Sequence, residues 1–90
     1  SGDSMEPDYH NGEIAWIQKK DSLCNGEIGI FYLNGDAYIK KLYDEPDGLY
    51  LISLNDKYKP IAVQESDSFK IFGKVVGKCS ASDIPGFHNS

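Results

Sequence analysis

Glu27-Ile28-Gly29-Ile30-Phe31-Tyr32-Leu33-Asn34-Gly35-Asp36-Ala37-Tyr38-Ile39-Lys40-Lys41-Leu42-Tyr43 is the stretch from which the fold is read. Two runs rich in β-branched and aromatic residues flank Asn34-Gly35, and both members of that dipeptide tolerate the positive φ that a type I′ turn demands. The stretch therefore predicts a β-hairpin. Its second strand also carries a tandem lysine among aromatic and aliphatic neighbours, an arrangement with chemical as well as structural consequences.

Strand signals recur on both sides of the hairpin. Upstream, turn formers at residues 8–12 lead into a first strand over 13–19, and residues 21–26 turn the chain back. Downstream, Glu45-Pro46-Asp47-Gly48 reads as a tight turn, residues 49–54 as a fourth strand, 55–60 as an irregular polar link and 61–63 as a short strand. A last strand, starting at Phe69 and ending at Lys78, alternates lysine with apolar residues. No helix-period segment, internal repeat or low-complexity tract interrupts this series. The fold class is mainly β.

Ninety residues bound the answer to one small domain with a modest core. Residues 1–79 are expected to form it and residues 80–90 to be a mobile tail. A hydrophobic content of 40%, with six Tyr, four Phe and one Trp, is enough to pack such a core, so the chain is globular rather than disordered. A formal charge of −5 and a pI near 4.8 argue against binding DNA or an anionic membrane through this domain, because both need a basic face. Cys24 and Cys79 follow no metal-ligand spacing and read as free thiols in a reducing cytoplasm. No apolar run approaches a membrane span and no cofactor motif occurs.

The candidate chemistry begins at Ser1-Gly2-Asp3-Ser4-Met5-Glu6-Pro7, a glycine-led turn that presents Ser4. A serine hydroxyl is a poor nucleophile at neutral pH, so it needs a base to take its proton and donors to hold the oxyanion that forms. Strand alternation puts Tyr38, Lys40 and Leu42 on one face and Ala37, Ile39, Lys41 and Tyr43 on the other. Neither face is plainly polar. One of the two lysines must then lie against apolar surface, where desolvation disfavours the ammonium. If Lys40 faces Ser4, it can accept the serine proton while the backbone N–H groups of Ser4 and Asp3 bind the oxyanion.

Plainer readings exist for the same residues. A serine in a Gly-Asp-Ser turn is commonly a turn former, and paired strand lysines are commonly solvated edge charges. His10 or His88 could serve Ser4 in a Ser-His-Asp arrangement, but one lies in a turn and the other in the tail. Cys24 has no recognisable partner as a nucleophile.

The motifs in their order resemble the self-cleaving peptidase domain of the LexA, phage-repressor and UmuD family. Ser-Gly-Asp-Ser-Met-Glu-Pro is similar to the serine box, Asn11-Gly12-Glu13-Ile14 to the strand entry that follows, and Ala37-Tyr38-Ile39-Lys40-Lys41-Leu42 to the lysine box. Asn55-Asp56-Lys57-Tyr58-Lys59-Pro60-Ile61 resembles the later Asn-x-x-[Tyr/Phe]-x-Pro-Ile segment, and residues 69–77 resemble the closing strand. The resemblance implies a coiled, barrel-like β-sheet with a serine-lysine dyad, in which Ser4 is the nucleophile, Lys40 the general base and Lys41 merely basic. It further implies a repressor cut in a linker upstream of the serine, a RecA filament as trigger, DNA contact only through a separate N-terminal domain, and a cytoplasmic homodimer joined through Phe69 to Lys78.

The sequence departs from that family in one respect. No Ala-Gly or Cys-Gly dipeptide, the expected scissile bond, occurs in it, so the chain reads as cut from something longer. Two alternatives share the same residues: a dimerisation module that no longer cleaves, and the soluble part of a type I signal peptidase, which has a similar Ser-Met-x-Pro turn and lysine base.

Overall fold

A computed structural model of the chain describes residues 13–80 together with Gly86. Six strands run through it: β1 (Glu13–Gln18), β2 (Ile28–Leu33), β3 (Asp36–Glu45), β4 (Gly48–Ile52), β5 (Ile61–Val63) and β6 (Phe69–Ser80). They pair antiparallel in one sheet of order β1-β6-β2-β3-β4-β5. The mainly β class is confirmed, with no helix among the described residues. The sheet is open rather than closed into a barrel, since β1 and β5 stand at opposite ends of the order.

The deciding hairpin forms as its sequence predicts. Leu33 stands opposite Asp36, leaving Asn34-Gly35 as a two-residue loop. Their φ angles of 50° and 89° are both positive, the condition for a type I′ turn that matches strand twist. Asn34 also fastens the tip to the loop before β6: its N–H donates to the Ser68 carbonyl at 2.8 Å, its Nδ2 donates to Asp67 Oδ1 at 2.9 Å, and its Oδ1 accepts the Ser68 N–H at 2.9 Å. Asp67 Oδ2 accepts the Gln64 N–H at 2.7 Å. The Asn34 amide, helped by that N–H, holds the Asp67 carboxyl below the usual carboxylate range.

Alternation along the strands gathers one apolar face. Phe31 and Leu33 of β2, Leu42 of β3 and Leu51 of β4 form the buried cluster, with Tyr38, Leu49, Ile61, Phe69 and Ile71 packed around it. Phe31 and Phe69 stack with ring centroids 5.7 Å apart. Burying side chains of this size stabilises the fold by on the order of 1.5–3 kcal/mol each before conformational entropy is counted.

The last strand is the spine. β2 pairs with β6 from Phe69 to Lys74, and β1 pairs with it from Lys74 to Ser80 on the opposite edge. Both ladders carry a register shift near the handover, where Gly73 lies so close to β1 that a Cβ would fall 2.6 Å from Ile17 Cγ2 and 2.8 Å from the Gln18 carbonyl oxygen. Only glycine lets the two backbones meet there. The turn before β2 adds an anchor, because Glu27 accepts the Cys24 N–H at 2.7 Å and pairs with Lys74 of β6.

Candidate active site

Two strands and one loop converge on Lys40. The Glu45–Gly48 pair closes β3 and β4 around the two-residue loop Pro46-Asp47, and Lys41 stands opposite Ile52. One step further along the same antiparallel register sets Lys40 opposite Ser53, where directly opposed side chains begin about 5 Å apart. Lys40 is 4% exposed and Ser53 8% exposed, and the lysine Nζ donates to Ser53 Oγ at 2.6 Å.

Aromatic rings flank the amine. The Tyr38 ring, on the same face of β3, lies 5.9 Å from Nζ, and the Tyr58 ring lies 5.7 Å away. Tyr58 is brought there by the link after β4. The Asn55 side chain accepts the Lys57 N–H at 3.0 Å and the Asn55 carbonyl accepts the Tyr58 N–H at 3.1 Å, so residues 55–58 form a turn under local control.

Burial pushes the Lys40 amine below the ordinary lysine range. Ring faces at the outer limit of cation–π range favour the ammonium only weakly, and among the described residues no carboxylate offsets the desolvation. The balance therefore lies toward a more weakly basic amine. Burial thus makes this amine a more readily available proton acceptor than a solvated surface lysine.

The structure thus separates the tandem pair that alternation alone left open. Lys40 faces the apolar side with Leu42, while Lys41 lies on the other face and is half-buried. Ser4 and Asp3, the expected nucleophile and oxyanion donors, and His10 and His88 lie outside the described residues. Cys24 is an exposed free thiol in the turn before β2. Ser53 and Tyr58 escaped the reading of the sequence as site residues. Ser53 was nonetheless derivable, since a two-residue loop at Pro46-Asp47 fixes every opposed pair of β3 and β4 and carries the register to Lys40 and Ser53.

With this geometry in view, comparison with known proteins is decisive. The Peptidase S24-like family model matches residues 1–76. The chain belongs to the Peptidase S24-like family. It is 42% identical over 77 residues to a LexA repressor of Leptospira biflexa, covering 84% of this chain and 37% of that protein. Similar likeness extends to the LexA repressors of Leptospira interrogans, 39% identical over 84% of this chain and 36% of theirs, and of Carboxydothermus hydrogenoformans, 38% identical over 84% and 38%. The S24-like chain spans little more than a third of the length of these relatives. Among its described residues no helix is long and apolar enough to cross a membrane.

Proposed function

We propose that this S24-like domain is the peptidase and dimerisation part of a LexA-type repressor in the cytoplasm, and that it cuts its own polypeptide with a Ser4–Lys40 dyad. The observation that carries the reading is a lysine 4% exposed, with its amine kept weakly basic by burial and flanked by Tyr38 and Tyr58. Burying an ammonium without a counter-ion is costly, and a fold retains such a residue where a neutral amine has work to do.

In the reaction, Lys40 Nζ takes the hydroxyl proton of Ser4 as Ser4 Oγ attacks the scissile carbonyl carbon. The Ser4 and Asp3 N–H groups hold the resulting oxyanion. Its collapse breaks the C–N bond, Lys40 returns the proton to the leaving amine, and an acyl-serine remains. Water then gives its proton to Lys40, attacks the ester and releases a carboxylate as Ser4 regains its hydrogen. Cleavage would part this domain from a DNA-binding segment and lower operator affinity.

A second copy would join through the half of β6 beyond Lys74. That half has β1 as its one strand partner among the described residues, and Val76 and Trp16 beside it are 56% and 53% exposed. Antiparallel pairing of two such edges across a twofold axis would continue the sheet. The segment from Phe69 to Lys74 likewise has one strand partner among the described residues, β2.

The test is self-cleavage of the natural full-length polypeptide at mildly alkaline pH, with and without RecA filaments on single-stranded DNA. The wild type is expected to split upstream of Ser4, while Ser4→Ala and Lys40→Ala stay whole. Cleavage that persists in either variant excludes the dyad, and a wild type that stays intact under both conditions leaves a dimerisation module.

A further inference from the structure

We propose that Ser53 is a positioning residue for Lys40, accepting one N–H of the amine so that its lone pair is left to face the nucleophile. This assignment rests on the dyad reading above. It starts from a contact inside the fold, between two buried polar side chains 2.6 Å apart, one on β3 and the other just past the end of β4. That separation is short for an N–H···O bond, whose usual value is about 2.9–3.0 Å. Among the described residues Ser53 is the hydrogen-bond partner of Nζ, and the tyrosine rings flanking it offer faces rather than lone pairs.

A neutral amine has two N–H donors and one lone pair, on a stem of four rotatable carbons. Unheld, it would sample orientations in which the lone pair points away from any hydroxyl beside it. The bond to Ser53 fixes the nitrogen at one point and removes that freedom. It also persists through proton transfer, because the ammonium still donates to Ser53 Oγ and does so more strongly as a charged donor. Ser53 thus favours the ammonium and works against the burial that disfavours it. The lysine is left basic enough to take a proton and free of one often enough to act.

The groups facing Lys40 that could blur a titration are Tyr38 on β3 and Tyr58 on the loop after β4; no carboxylate among the described residues contributes. Site-resolved side-chain NMR signals follow Lys40 itself, apart from these phenols.

The experiment compares wild type, Ser53→Ala and Ser53→Thr in the natural full-length polypeptide. Alanine removes the acceptor and adds no titratable group, whereas threonine keeps the hydroxyl. Self-cleavage rate is measured across pH, and Lys40 is titrated through its side-chain NMR signals in a Ser4→Ala background, which holds the chain in one piece. Ser53→Ala should cut at least about tenfold slower at its plateau, a loss typical of a misplaced proton acceptor, with the Lys40 midpoint lowered by roughly half a unit or more. Ser53→Thr should return both values to near wild type. The proposal is overturned if Ser53→Ala, folded by its melting curve, matches wild type in plateau rate and Lys40 midpoint, or if Ser53→Thr is as impaired as Ser53→Ala while equally folded. Should the wild type itself not cleave, the dyad reading fails on that ground, and the titrations alone still decide whether Ser53 holds the amine.

Discussion

At Lys40 and Leu51 two kinds of buried side chain make opposite demands. Leu51 is fully buried in the apolar cluster, so Leu51→Ala removes contacts that cannot collapse entirely and should destabilise the domain by about 2–5 kcal/mol in urea unfolding. Lys40 is nearly as buried but carries a group that water would rather charge. Because burial lowers its pKa in the folded state, the unfolded chain binds more protons at this site between the lowered value and the ordinary value near 10.4. Stability contributed by this site must therefore rise with pH across that window and stay at its reduced level below it. Comparing Lys40→Met with wild type in urea melts over a pH series should show the slope in the wild type and its loss in the variant. Equal slopes would mean that the lysine is solvated in the folded protein.

Among the elements, the β2–β3 and β3–β4 hairpins were legible because each depends on local chemistry: positive φ at Asn34 and Gly35, and a Pro-Asp loop closed by Glu45 and Gly48. The lysine box was legible for the same reason, and alternation put Lys40 and Leu42 together on the side that proves to be buried. The placement of β6 between β1 and β2 was not, since pairing between strands more than 35 residues apart in sequence leaves no mark on local pattern. For that reason the sequence left the last strand undivided, whereas its first half pairs with β2 and its second with β1. Gly73 marks the handover only in three dimensions. Gly73→Ala should push β1 away from the sheet, through clashes with Ile17 and the Gln18 carbonyl, at a cost of roughly 1–3 kcal/mol. Faster hydrogen exchange across β1 than across β3 and β4 in that variant would locate the damage, and uniform exchange would count against it.

At the scale of the whole molecule, an open antiparallel sheet supplies a rigid floor on which one lysine is held, among the described residues, by a hydroxyl and two aromatic rings. β3 carries the amine, the end of β4 brings the hydroxyl of Ser53, and the Asn55 turn brings Tyr58 over it. What joins fold to chemistry is the protonation of a single nitrogen. The most direct measurement is a site-resolved titration of Lys40 in the intact Ser4→Ala protein, set beside the pH dependence of wild-type self-cleavage. A Lys40 midpoint below the ordinary value of about 10.4, coinciding with the half-maximal cleavage rate, is the predicted result. A Lys40 that titrates with the surface lysines, or a cleavage midpoint that ignores it, would contradict the account.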